Sequence, residues 1–305
     1  MLRATFIALS ESKSLRSFAE KTALGQRLSR RFVAGVTVDD ALRVARDLNQ
    51  LGLGVSLDNL GENVSKAEEA QHSAQLYHQM LDEIADRQLN ANVSVKLTHM
   101  GLDVQEQLAY DNTSGLVQHA ARINNFVRVD MEGSAYTQRT LEFVHRLHTQ
   151  PGYAGRVGAV IQSYLRGSEK DVEELVAARI RIRLCKGAYK EPPEIAFEKK
   201  SEVDANYVRL MKILLKSGIY HGIATHDEKM IRATIDFARQ EKISPGSFEF
   251  QMLYGIRRDL QQKLVRDGWR CRVYVPFGAE WYPYLMRRLA ERPANAIFIL
   301  KNLFR

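Results

Sequence analysis

Cysteine is nearly missing: Cys185 and Cys271 are the only two among 305 residues, with no CxxC pair and no cluster. Their scarcity excludes a disulfide framework or a structural zinc centre and points to a reducing compartment, so the cytoplasm is the expected location. Long apolar runs are missing as well. Stretches such as Ala296-Ile297-Phe298-Ile299-Leu300 fall far short of the ~20 residues that a membrane-spanning helix requires. No Pro/Gly/Ser-rich linker and no low-complexity tract divides the chain, so a single domain over 1–305 is the simplest reading. The N-terminal segment contains Arg and Ser in the manner of a transit peptide. Glu11 and Glu20 interrupt it and no secretory apolar core follows, so it is expected to belong to the mature protein.

With 45% apolar and 26% charged residues, the composition is that of a globular chain large enough for one barrel. The formal charge of +8 suits nucleic acid, an anionic membrane surface or an anionic ligand, and does not choose among them. Basic clusters such as Arg27-Leu28-Ser29-Arg30-Arg31 lack interleaved aromatics and any zinc-finger or RNP pattern. They read as solvated helix faces, and no nucleic-acid partner is expected.

Short β-branched runs recur, each followed by a longer stretch with apolar residues at helical spacing, which is the alternation of βα units on a parallel sheet. The runs fall at 53–58, 92–97, 125–130, 157–162, 180–185, 220–224, 248–252 and 271–275. Eight strands at this spacing predict an α/β fold, a (β/α)8 TIM-like barrel over 53–305. Residues 1–52 would add N-terminal helices packing on it: one around 14–22, and a second opening at Val38-Asp39-Asp40-Ala41-Leu42 and ending near Gly52. The pair Gly52-x-Gly54 precedes a strand, whereas phosphate-cradling glycines follow one, so a dinucleotide-binding fold is excluded by order.

In such a barrel, function collects where strands end. There the sequence places Lys96 on strand two, Asp130 on three, Gln162 on four, Arg183 and Lys186 on five, Thr225 and His226 on six, and Gln251 on seven. Any one of these reads equally as a polar cap at a solvated strand end. Together they make a lining of mixed sign, with Lys96, Arg183 and Lys186 against Asp130, suited to a charged ligand. Lys186-Gly187-Ala188-Tyr189 would admit backbone N–H groups to a phosphate or flavin ring, or is a tight turn with a basic cap. Adjacent Arg287 and Arg288 point ~100° apart on a helix and serve one ligand only if that helix crosses the pocket mouth. Tyr284 and Tyr274 would accompany them around a carboxylate.

Other readings stay open at this level. Lys96 or Lys186 could form a Schiff base as aldolases do. A basic barrel could bind nucleic acid without catalysis. His145 and His148 could chelate a metal but have no third ligand beside them, so no metal site is expected. The apolar tail 296–304 either packs on the barrel or touches a membrane surface.

The sequence resembles the proline dehydrogenases in their short bacterial, monofunctional form, over nearly its whole length. The motifs that carry the likeness are Val95-Lys96-Leu97, Arg128-Val129-Asp130-Met131-Glu132, Arg183-Leu184-Cys185-Lys186-Gly187-Ala188-Tyr189, Ala224-Thr225-His226, Phe248-Glu249-Phe250-Gln251-Met252-Leu253-Tyr254-Gly255 and Tyr284-Leu285-Met286-Arg287-Arg288-Leu289. Arg31-Phe32-Val33-Ala34-Gly35 and Leu57-Asp58-Asn59-Leu60-Gly61-Glu62 extend it towards the N-terminus.

The resemblance implies a distorted barrel holding FAD, in which hydride passes from C5 of L-proline to the flavin. The product is Δ1-pyrroline-5-carboxylate, and the electrons go on to a membrane quinone. It further implies that Arg287, Arg288 and Lys96 hold the proline carboxylate while Tyr274, Tyr284 and Leu253 close round the ring. Asp130 and Arg183 would be catalytic, the arginine near flavin N5. Gln162 would be an amide partner of the isoalloxazine, with Met131 beside it. Lys186, Gly187, Ala188, Thr225, His226, Gln251 and Glu291 would hold the rest of the cofactor. The nucleic-acid-binding and aldehyde dehydrogenase portions of bifunctional relatives are not in this sequence. A separate pyrroline-5-carboxylate dehydrogenase is therefore the expected downstream partner, and peripheral contact with the inner face of the cell membrane is the expected route to quinone.

Overall fold

The protein is seen here as a computed structural model that describes residues 29–61, 64–189 and 191–291, the isolated positions 16, 22 and 25, and side chains as far as Met286. Most of the segment 14–22, the side chains of Arg287, Arg288 and Glu291, and the tail 296–304 lie outside the described residues.

Helix α1 (Val38–Gln50) opens on a capping box in which Thr37 and Asp40 satisfy each other's backbone N–H groups. Its Ala41, Leu42, Ala45 and Leu48 form one buried stripe at helical spacing. Strands β1 (Gly54–Asn59), β2 (Ala91–Val95), β3 (Val127–Val129), β4 (Val157–Gln162), β5 (Arg181–Cys185), β6 (His221–Ala224), β7 (Phe248–Leu253) and β8 (Cys271–Phe277) follow, all parallel and closed in sequence order into one barrel. Between them run α2 (Ala67–Asp86), α3 (Glu106–Arg122), α4 (Thr137–His148), α5 (Ser168–Ala177), α6 (Lys200–Lys216), α7 (Glu228–Gln240) and α8 (Arg258–Arg266), with α9 (Trp281–Glu291) after β8. The predicted barrel is thus the observed one, and each strand run expected from the sequence contains its strand or overlaps it.

The last helix departs from the simple repeat. Helix α1 packs on β1 and β8, filling the place in the outer ring that the helix after β8 would take. Helix α9 instead forms a separate apolar cluster in which Trp281, Tyr282, Tyr284, Leu285 and Met286 meet Phe32, Val33 and Leu60. Leu60 lies just past β1 and bonds the carbonyl of Phe277 at the end of β8. Helix α9 is therefore anchored at the carboxyl-end face.

Side chains alternate along every strand. Val55, Leu57, Val93, Val95, Val127, Val129, Ile182, Leu184, Val273 and Val275 are fully buried in the main core with the helices. The inward set is mainly polar, contrary to the branched apolar layers usual in such barrels. Room comes from glycines. A Cβ at Gly158 would lie 2.7 Å from the Arg128 guanidinium, and one at Gly222 would lie 2.4 Å from the Gln251 amide.

Candidate active site

Arg183 sits in the middle of β5, not at its end, and reaches across the barrel interior. Its Nη1 donates to Asp130 Oδ1 at 2.6 Å, its Nη2 to Ser94 Oγ at 3.1 Å and Ser56 Oγ at 3.3 Å, and its Nε to the side-chain Oε1 of Gln251. Tyr274 donates to the other Asp130 oxygen at 2.8 Å, and its ring lies 5.2 Å from the guanidinium. Six strands or strand ends therefore meet in one cation–carboxylate pair and its braces inside the barrel. Burial and the neighbouring Asp130 and Asp58 carboxylates push the Tyr274 phenol well above its ordinary pKa, so it is a hydrogen-bond donor at neutral pH.

Beside this pair, Lys96 Nζ lies 3.2 Å from both oxygens of Asp58. Burial raises the Asp58 carboxyl against the opposing pull of Lys96. Tyr77 approaches the same carboxylate at 3.4 Å, held in turn by the backbone N–H of Asn59. Tyr274 contacts both acids and joins the Lys96–Asp58 pair to the Asp130–Arg183 pair. The structure therefore brings Lys96, Asp130, Arg183 and Tyr274 into one network at the carboxyl-end half of the barrel.

Around that network stand the remaining residues read from the sequence. Gln162 ends β4 and is buried, yet its Oε1 has no hydrogen-bond partner among the described residues. A buried acceptor left in this way normally costs ~1 to 3 kcal/mol, so a donor from a bound group fits there. An oxidised isoalloxazine carries such an N–H, which is the structural reason the site suits a flavin. Met131 is buried next to Asp130, and Leu253 is half-buried at the end of β7, its N–H donating to His226 Nε2 at 2.9 Å. Thr225 Oγ1 accepts from the N–H of Asp227 at the start of α7. Tyr284 is buried in the α9 cluster, and the backbone of Arg287, Arg288 and Glu291 continues that helix.

The strand position read from the sequence is corrected at Gln251 as it was at Arg183. Gln251 lies inside β7 rather than at its end; its amide is taken by Arg183 and by Glu249 Oε1, the latter at 2.7 Å, because Gly222 leaves the space beside it. Lys186 is ion-paired with Asp204 and Asp227, at 2.5 and 2.8 Å. Burial would raise Asp227, but the Lys186 bond and the Lys229 N–H outweigh it and hold the carboxyl at about 2. Gly187 adopts φ +101°, and a Cβ there would come 2.1 Å from the Tyr164 ring, so close packing on Tyr164 already requires the glycine. Ala188 and Tyr189 continue the same loop. Since both candidate Schiff-base lysines are held against carboxylates, the aldolase reading loses its support.

Several residues of this network were not singled out from the sequence. Ser56 and Ser94 brace Arg183, Asp58 holds Lys96, and Glu132 accepts from the Thr98 hydroxyl at 2.7 Å. Asp58 had a visible signal, because it closes an apolar run on β1 as Asp130 does after β3. Among the described residues, no group of three or more His, Cys, Asp or Glu is placed to hold a metal.

A closed parallel barrel that fixes cations and buried acids at the carboxyl ends of its strands defines a (β/α)8 enzyme for a small charged substrate. The family model described as proline dehydrogenase matches residues 41–301, and the chain belongs to the proline dehydrogenase family, oxidoreductases that oxidise proline. It is 40% identical over 306 residues to proline dehydrogenase 1 of Bacillus subtilis, covering all of both chains. It is 38% identical to a proline dehydrogenase of Deinococcus radiodurans, covering 91% of this chain and 90% of that one. Among solved structures, proline utilization A from Bdellovibrio bacteriovorus, inactivated by N-propargylglycine, superposes with a TM-score of 0.83 at 28% identity. That match covers 89% of this chain and 33% of the longer one. No described helix is long and apolar enough to cross a membrane.

Proposed function

We propose that the chain oxidises L-proline to Δ1-pyrroline-5-carboxylate with bound FAD and passes the electrons to a quinone. The observation that supports this most is the unpartnered Gln162 Oε1 at the same barrel end as the Arg183–Asp130 pair. Gln162, Met131 and Arg183 would meet the ring system, and Lys186, Gly187, Ala188, Thr225, His226 and Glu291 would hold the rest of the cofactor, while Gln251 would act only through Arg183, which it braces. When bound, FAD supplies the two-electron acceptor that no amino-acid side chain provides.

The chain's own residues bind and orient. Lys96, with Arg287 and Arg288 of α9, would neutralise the substrate carboxylate, charge-assisted bonds of this kind being worth ~1.5 to 3 kcal/mol each. Tyr274, Tyr284 and Leu253 would close over the ring and exclude water. Cations around the pocket favour the neutral amine of proline, whose lone pair must be available for imine formation. Arg183 is held in place by Asp130, Gln251 and two serines before substrate arrives, so its charge needs no rearrangement to stabilise negative charge developing nearby. A quinone acceptor, a separate dehydrogenase for the product, and cytoplasmic residence with contact at the inner membrane face complete the reading.

The test is an absorption spectrum of the purified protein before and after anaerobic L-proline. A yellow protein whose flavin bands bleach on proline addition is expected. A protein that binds no flavin, or a flavin that proline leaves oxidised, overturns the proposal.

A further inference from the structure

At the opposite end of the barrel, a solvent-open cavity of about 570 Å³ is lined by the segments that lead into β2, β3 and β4, with Arg181 at the start of β5 and Arg272 near the start of β8. Its charged lining residues are Arg156, Arg181 and Arg272, accompanied by the carboxamides of Gln88, Asn90, Asn92, Asn124 and Asn125; no Asp or Glu lines it. Three guanidiniums in one acid-free concavity are costly unless something offsets their charge.

The barrel floor beneath offsets one of the three, because Glu249 forms a buried ion pair with Arg272, and leaves Arg156 and Arg181 without a carboxylate among the described residues. Glu249 is the acid of that layer, and it accepts from Arg272 Nε and Gln251 at 2.7 Å and from the Tyr220 hydroxyl at 2.9 Å. Arg128 and Arg181 have no carboxylate partner among the described residues. Arg181 Nε bonds the Tyr220 carbonyl, and its guanidinium stacks 4.1 Å from the Phe126 ring centre. Arg128, 3% exposed, binds the carbonyls of Ala159 and Arg181 and leaves its Nε with no partner. Arg156 bonds only uncharged groups, the Asn124 side chain and the Asn125 carbonyl.

We infer that this amino-end cavity is a binding site for a small, multiply charged anion, a phosphate ester or a di- or tricarboxylate. Guanidiniums supply the charge and fork-like donors, and amide N–H₂ groups supply neutral donors around them. The volume exceeds that of a single inorganic phosphate and admits a compact organic anion. The site is separate from the catalytic face, so the proposal stands independently of the flavin assignment.

Titration calorimetry on the flavin-loaded protein at constant ionic strength tests it, with inorganic pyrophosphate and citrate as separate probes. Saturable one-to-one binding of either is expected; which one binds distinguishes a phosphate from a polycarboxylate ligand. Two variants leave the barrel interior intact: Arg156→Gln removes a cation, and Asn90→Asp puts a carboxylate into the lining without changing its shape. Each is expected to weaken binding by about tenfold or more while leaving proline turnover unchanged. The inference fails if neither probe binds saturably below about 10 mM, or if both variants bind as tightly as the parent.

Discussion

On the helix side of the barrel sheet, Leu57, Val93, Val129, Ile182, Leu184 and Val275 are held by packing alone. The same strands turn Ser56, Ser94, Arg181, Arg183, Glu249 and Gln251 inward, where hydrogen bonds and charge pairs hold them. Neighbouring residues one position apart therefore answer to different physics. Outward positions tolerate exchange of shape at a cost set by lost contacts. Inward positions cannot lose one partner without stranding another in a buried site. Packing sets how firmly the barrel holds, and the inner network sets where its charges point.

Arg183 and Leu184 offer the sharpest test of that contrast, being adjacent on β5 with opposite facings. Arg183→Met is expected to have the largest effect: flavin reduction by proline, followed by stopped flow, should slow by ~10²- to 10³-fold. Unfolding in urea should show an added loss of ~3 to 5 kcal/mol, since Asp130 is left unpaired. Leu184→Ala should cost ~2 to 5 kcal/mol in the same unfolding experiment and leave turnover per folded molecule within about threefold. If both variants damaged turnover equally, the two faces would not be separable.

A smaller effect comes from buried histidines. Burial, with Lys96 nearby, lowers His99 to about 4 from an ordinary 6.5; burial, with Arg128 and Arg181, lowers His221 to about 3. A base depressed on folding contributes stability above its unfolded pKa, because below 6.5 the unfolded chain takes a proton that the native chain refuses. Stability should therefore fall as pH drops from about 7 to 5, by ~2 kcal/mol for His99 alone. Urea unfolding at the two pH values checks this, and His99→Gln should flatten the slope. The smallest effect belongs to the surface. Lys200 pairs with Asp204 while 71% exposed, and Lys200→Ala should shift stability by no more than ~0.5 kcal/mol.

Much of this architecture was legible before any contact was known. Eight βα units follow from alternating runs, and the capping box at Thr37 and Asp40 marks the start of α1 within the sequence itself. The strict alternation in Phe248-Glu249-Phe250-Gln251-Met252 and in Arg181-Ile182-Arg183-Leu184 was equally visible, yet it reads most simply as apolar strands with polar ends. Parallel strands buried on both faces are usually apolar throughout. Here the period-2 pattern marks a polar barrel interior, and Gly158 and Gly222 are the small residues that make room for it.

What the sequence alone determined is local: strand and helix periods, the cap of α1, and the motifs that place the chain in its family. These depend on residues within a few positions of one another. Only the tertiary structure decided which charges meet. Arg183 finds Asp130 at 53 residues' distance, Gln251 at 68 and Ser56 at 127, and barrel closure alone brings them together. Closure likewise put α1 in the ring and α9 at the carboxyl-end face, because a helix settles where its apolar stripe finds a matching surface rather than where the repeat would place it.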